Sequence, residues 1–508
     1  MTKVIVGYTI GSSTVESALM IVKHRNKIRS GIYVILEYDN SKVLGLIVSL
    51  NSSSNIINET VTDVEVIEKM REIQVPESIK EYIKAKIKII CKLIDNNSCE
   101  RVELPPPPGT PVRLATKEEL QRIFENGNIK IGKLIGSDVE VSINPNYLTR
   151  HLAILAATGS GKSNAVAVLS QRIAENGGCV VIFDFHGEYY DSNMKYLNVI
   201  NPKLNPLHLN PREFAVLLEI RENAFKQYRV FRRAFLDTKE EIEKIIRENS
   251  YLNSEELKKK FFETLLSKVS DNKKSISRDK DVRYEVESKI EDFQDRYGYV
   301  IDILAPDIIH NIKLGMVNVV NISQLDEEAM DAVISHYLRR ILDARKENKW
   351  RGGGLRYPVL VVIEEAHVFL SRDRNTLTKY WASRISREGR KFGVGLIIVS
   401  QRPKGLDENI LSQMTNKIIL KIIEPSDKKY ILEASDNLSE DLVEQLSSLD
   451  IGEAIVIGKI VNIPAIVKID KFEGKLSGSD PDLMKEWREA KEQKEIADLI
   501  AEMGELKF

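Results

Sequence analysis

The chain has 508 residues, 43% of them hydrophobic and 29% charged, which is enough for roughly two to four domains with ordinary cores. Lys and Arg together number 74 against 75 Asp and Glu, so the formal charge of −1 excludes a globally basic nucleic-acid binder, and any basic surface has to be local. No apolar run approaches the about 18 residues of a membrane span, no signal-peptide pattern opens the chain, and the cysteines Cys91, Cys99 and Cys179 show neither metal-ligand spacing nor a disulfide framework; a cytoplasmic protein with no membrane association is expected.

In chain order, Lys3–Ile10, Ser17–Val22, Ile32–Tyr38 and Lys42–Leu50 read as short strands broken by Gly11-Ser-Ser, Ser30-Gly31 and Asp39-Asn40. A helical stretch around Val64–Arg71 and a further strand over Ala85–Ile94 complete a domain over 1–110. Its close strand spacing predicts a small β-barrel or sandwich, ended by the stiff Pro105–Pro108 connector. Asn128–Val141 returns to strand character. From His151 onward, apolar strands (His151–Ala157, Cys179–Asp184, Met316–Ile322, Val359–Glu364, Gly395–Ser400 and Lys417–Ile422) alternate with helices at Ser163–Asn176, 327–347 and 377–391. That alternation predicts a doubly wound α/β core. The core is expected in two parts, 111–210 and 301–472, separated by a charged, helix-favouring block over 211–300 that reads as an inserted helical subdomain. Gly452–Gly458 and Ile463–Ile469 form a terminal hairpin, and Asp482–Met503 a charged helix within a 473–508 tail.

Chemistry concentrates at strand ends. Thr158-Gly159-Ser160-Gly161-Lys162-Ser163 stands between a strand and a helix, as a phosphate-binding P-loop does. Glycines let several N–H groups point at one spot, and the helix N-terminus adds positive potential. Lys162 is placed to reach the β- and γ-phosphates of ATP, and the Ser163 hydroxyl to hold Mg²⁺. Ala156 stands where the usual pattern opens with glycine, which matters only if that position needs a positive φ. Val359–Ile363 delivers Glu364 and Glu365 to a strand end, Glu364 on the metal side and Glu365 to activate water; the alternative is a pair of solvated acids. Gln401, in Ser400-Gln-Arg-Pro403, is placed to sense the γ-phosphate or hold the attacking water, unless this is an ordinary turn before Pro403. Asp184-Phe-His-Gly-Glu-Tyr189 clusters acids and an imidazole on the strand beside the P-loop, and no metal site follows from it.

Arg384, Arg387 and Arg390 recur at intervals of three and share one helix face. Either they complement the helix C-terminus, or Arg387 or Arg390 reaches into a neighbouring subunit's nucleotide site as an arginine finger. Arg150 is a second candidate for contacting nucleotide.

Taken together, Thr158-Gly-Ser-Gly-Lys-Ser-Asn164, Asp184-Phe-His-Gly-Glu-Tyr189, Ile363-Glu-Glu-Ala-His367, Ile385-Ser-Arg-Glu-Gly-Arg-Lys391 and Ser400-Gln-Arg-Pro403 resemble, in this order, the HerA family of archaeal and bacterial DNA translocases, relatives of the FtsK motors. The resemblance covers nearly the whole chain, with the N-terminal strands similar to that family's HAS-barrel. It implies a RecA-like ATPase core, a homo-hexameric ring around duplex DNA, and a NurA-type nuclease partner in DNA end resection and double-strand break repair. Thr158 to Asn164, Arg150 and Asp184 are then expected at the nucleotide. A conjugation- or secretion-type ATPase is the alternative motor, and a nucleotide-switched scaffold the alternative from another class.

Overall fold

The computed structural model describes residues 4–54, 63–72, 81–94, 99–125, 127–220, 223–248, 251–270, 280–436, 438–477, 483–484 and 486–491. Most of the predicted Asp482–Met503 helix therefore lies outside the described residues.

The N-terminal strands are β1 (Ile5–Ile10), β2 (Ser17–Val22), β3 (Tyr33–Tyr38), β4 (Ser41–Ser53), β5 (Tyr82–Leu93), β6 (Cys99–Glu100) and β7 (Pro111–Leu114). They run in the order β2-β1-β7-β3-β4-β5-β6, and β2 also pairs with β5, which closes six of them into a barrel. Period-two patterning drives the closure: Val34, Leu36, Val43, Ile47, Ala85 and Ile87 alternate inward and are buried. Two expectations are corrected here. The barrel extends past residue 110, because β7 follows the prolines and fills the gap between β1 and β3. Pro111 opens that strand, where a missing N–H costs least. The structure also joins Cys91 to Cys99 across β5 and β6, a disulfide that spacing alone did not show.

The second sheet has eleven strands in the order β12-β13-β11-β14-β15-β10-β16-β17-β18-β8-β9. From β12 (Leu197–Ile200) to β16 (Asn416–Leu420) every pairing is parallel: β13 (Val317–Asn321), β11 (Val180–Asp184), β14 (Val359–Ile363), β15 (Val394–Ser400) and β10 (Leu152–Leu155) lie between them. Residues of β10, β11 and β14 are all buried, as strands covered on both faces must be. The hairpin β17 (Glu453–Ile457) and β18 (Ala465–Ile469) then continues antiparallel to β8 (Ile129–Leu134) and β9 (Glu140–Ile143). This extension meets the barrel: the Tyr33 hydroxyl donates to the Pro464 carbonyl at 2.7 Å, and its ring lies 5.2 Å from Phe124.

The block between β12 and β13 is helical, over Pro211–Leu217, Phe225–Glu248, Ser254–Ser270 and Lys280–Tyr297. Phe214, Phe231, Phe235, Phe261, Phe262 and Phe293 pack at its centre. No helix among the described residues is long and apolar enough to cross a membrane.

Candidate active site

Parallel strands bring their C-terminal ends to one edge, and ligands of such sheets bind there. Four of the ends carry the residues singled out above: Ala156 after β10, Asp184 closing β11, Glu364 and Glu365 after β14, and Ser400 and Gln401 at the end of β15.

The loop from Ala156 to Gly161 is held by its neighbours. Ala156 N–H donates to Ser400 and Ala157 N–H to Lys421, at 3.1 and 2.9 Å. Ala156 is not among the positive-φ residues, so alanine fits without strain in place of the usual glycine. Gly161 does need to be glycine: its φ is +99°, and a Cβ would stand 3.2 Å from the Gly452 nitrogen. The helix Lys162–Glu175 starts there, and the first helical N–H to find a partner in its own chain turn is that of Ala165, bonded to the Gly161 carbonyl. The N–H groups of Lys162, Ser163 and Asn164 are thereby left for an anion.

Lys162 pairs with Glu365. Glu365 is 2% exposed and sits in left-handed backbone at φ +40° and ψ +42°, which costs a glutamate about 1–3 kcal/mol. Two imidazoles flank it, with His367 Nδ1 3.3 Å from Oε2 and His186 Nε2 3.6 Å from Oε1. Glu364, also 2% exposed, accepts from the Tyr189 hydroxyl at 2.7 Å through Oε1, while its buried Oε2 has no hydrogen-bond partner among the described residues. Burial pushes the Glu364 carboxyl up to about 8, against the pull of Lys162. A divalent cation would supply the charge and the contact that Oε2 lacks. Among the described residues no group of three or more His, Cys, Asp or Glu forms an all-protein metal cage. Gln401 Oε1 accepts from the Thr158 hydroxyl at 2.7 Å, and Ser400 Oγ lies 3.4 Å from His367 Nδ1. The end of β15 thus touches the phosphate loop directly and reaches Glu365 through His367.

Three of the residues expected at the nucleotide have side chains engaged elsewhere within this chain. Asp184 is fully buried and accepts from the N–H groups of Glu188, Tyr189 and Tyr190, each at 2.9 Å. Its carboxylate therefore folds the loop that brings Tyr189 to Glu364, instead of facing a ligand. The Asn164 side chain clips the segment after β18, donating to the Asp470 carbonyl and accepting from Phe472 N–H, so only its backbone N–H faces the phosphate side. Arg150 precedes β10 whereas the P-loop follows it, so a rise of about 3.3 Å per residue sets the two roughly 20 Å apart at opposite sheet edges. Its guanidinium stacks over Tyr147 there.

Arg387 and Arg390 are at that same opposite edge. The helix Leu377–Glu388 and the short turn Gly389–Phe392 end just before β15 begins. Arg384 is committed to Glu388 at 2.7 Å, and Arg387 to the Ser383 carbonyl at 3.0 Å. Arg390 is exposed and its guanidinium has no hydrogen bond or ion pair among the described residues. Sequence reasoning passed over Tyr189, His186 and His367 as working parts of the site. All three stood inside the quoted motifs, but their meeting with Glu364 and Glu365 depends on which strands lie side by side.

The family models agree with this architecture. Residues 6–95 match the HAS barrel domain, 129–341 the central domain of helicase HerA, and 302–493 the helicase HerA-like C-terminal domain. A protein of Sulfurisphaera tokodaii named DNA double-strand break repair helicase HerA is 60% identical over 498 residues, 98% of this chain and 99% of the relative. This chain belongs to the HerA helicase family. The namesake from Sulfolobus acidocaldarius is 58% identical over 500 residues, again 98% of this chain and 100% of the relative. Among solved structures, VirB4 of Thermoanaerobacter pseudethanolicus superposes over 69% of this chain and 98% of its own, with a TM-score of 0.51 and 16% identity. The conjugative coupling protein TrwB with sulphate covers 72% and 94% at 0.51 and 14%. At such identities the likeness is one of core fold alone.

Proposed function

We propose that the chain is an ATP-driven helicase or translocase of duplex DNA that serves double-strand break repair. The observation that carries the reading is the meeting of a P-loop cation, Lys162, with a buried, strained glutamate, Glu365, at the ligand edge of a parallel sheet. Membership of the HerA family supports the DNA and repair part.

In this reading the free N–H groups of the loop and the Lys162 ammonium take the phosphates of ATP. Lys162 leaves Glu365 to do so, and the released carboxylate takes a proton from the attacking water. Ser163 and Glu364 would hold Mg²⁺, which would supply positive charge against the phosphates. Gln401 reports the state of the γ-phosphate to β15, and His367 keeps Glu365 in line with that strand. Arg150, Arg387 and Arg390 cannot serve their own subunit's nucleotide from the far edge. They fit a homo-hexameric ring in which one subunit's arginine edge meets the next subunit's phosphate edge, where a cation stabilises charge on the departing phosphate. The barrel contains none of these residues and suits the recruitment of a NurA-type nuclease.

The test is ATP hydrolysis with and without duplex DNA. Duplexes of unrelated sequence are expected to stimulate turnover equally. Binding should weaken on the order of 10³-fold between about 50 and 200 mM salt if roughly six phosphates are touched. Turnover indifferent to DNA, or affinity indifferent to salt, would contradict the motor reading.

A further inference from the structure

The residue after Arg150 is backbone-strained and serves no part of the phosphate site. His151 has φ +66° and ψ +156°, a region almost reserved for glycine and costing other residues about 1–3 kcal/mol. Its ring is buried, with 2% of the residue exposed, and both nitrogens are bonded to backbone groups. Nδ1 accepts from Leu396 N–H at 3.0 Å, so the proton is on Nε2, which donates to the Ser386 carbonyl at 3.1 Å. Burial holds the imidazole down to about 4, and the ring is a neutral, fixed tautomer at neutral pH.

These bonds link particular places. Leu396 lies near the start of β15. Ser386 lies in the last turn of the arginine helix, beside Arg387, where helical carbonyls lack an internal partner. The other end of that helix is held by Asp331, which accepts from Leu377 and Thr378 N–H at 2.9 and 2.8 Å. The His151 carbonyl meanwhile accepts from the Asn416 side chain at 2.8 Å, which ties the Arg150 corner to β16. A glycine would satisfy the backbone at 151 more cheaply, but it would release the helix end.

We infer that His151 is a positioning residue: it locks Arg150 and the Arg387–Arg390 turn into one array presented to the neighbouring subunit. The inference rests on the proposed role of these arginines in trans. The rival is that His151 only braces β10 and so shapes its own subunit's P-loop.

Two substitutions separate these cases, because each keeps one of the two ring bonds. Gln in His151→Gln reaches Ser386 with its amide and leaves Leu396 N–H unpaired. Asn in His151→Asn accepts from Leu396 and falls short of Ser386. The measurements are ATP affinity and DNA-stimulated kcat on full-length assemblies, alongside an Arg150→Ala/Arg387→Ala/Arg390→Ala variant. The expected result is a kcat loss of about tenfold or more in His151→Asn with unchanged ATP affinity, and a clearly smaller loss in His151→Gln. The reverse order, or ATP affinity falling together with kcat, would assign His151 to its own P-loop and overturn the inference. A fully active triple arginine variant would instead remove the trans role itself, and the inference with it.

Discussion

Glu365→Gln is expected to bind ATP at least as tightly as the wild type while hydrolysing it on the order of 10²–10⁴-fold more slowly, the usual worth of a general base. Glutamine keeps the shape of the side chain in its buried, left-handed seat but accepts no proton from water. It also removes the charge that holds Lys162 in the nucleotide-free protein, so the ammonium is freer to meet phosphate. Nucleotide titration and steady-state hydrolysis measured on one preparation check both halves. Wild-type turnover would move the base to Glu364, whose carboxyl is pushed up to about 8 and is bonded to Tyr189.

Lys162→Ala is expected to lose both ATP binding and hydrolysis, with turnover down at least about 10²–10³-fold, because the phosphates lose the cation that the motif supplies. The structure adds a second effect. Glu365 would be left buried without its partner, and stranding one member of a buried pair costs about 3–5 kcal/mol unless the acid takes up a proton. Thermal unfolding should therefore show a lowered midpoint in Lys162→Ala. The double variant Lys162→Ala/Glu365→Gln should recover much of that midpoint while remaining inactive. Equal midpoints for the single and double variants would show that the pair contributes little to stability.

Much of this site could be read from the chain because its strands are continuous apolar runs. Val359–Ile363 followed by two glutamates reads as an apolar strand delivering acids to a sheet edge, and the burial of the strand and of both acids disposes of the alternative of a solvated pair. The side of the sheet reached by the arginines was also deducible. A helix that follows a parallel strand runs back, so its C-terminus lies at the edge away from the P-loop, and Arg150 before β10 lies there too. Other features required the fold. Asp184 looks like a ligand in sequence, but its role follows from three loop amides closing on it. Asn164 sits inside the P-loop motif, yet its side chain binds a segment some three hundred residues later, at Asp470 and Phe472. Strand β7 was hidden by the prolines beside it, which argue for a connector until the gap between β1 and β3 is seen. Nothing local to His151 signals its strain or its two bonds, since both partners come from residues more than two hundred positions away.

The claim that this protein converts ATP hydrolysis into movement along duplex DNA is tested most directly with a roadblock. Streptavidin is bound to a biotin near one end of a blunt duplex, and its release into excess free biotin is followed with and without ATP. The wild type should displace the block only when ATP is hydrolysed, and Glu365→Gln should bind the same DNA and leave the block in place. A wild-type protein that hydrolyses ATP briskly on this duplex while the block stays bound would contradict the account.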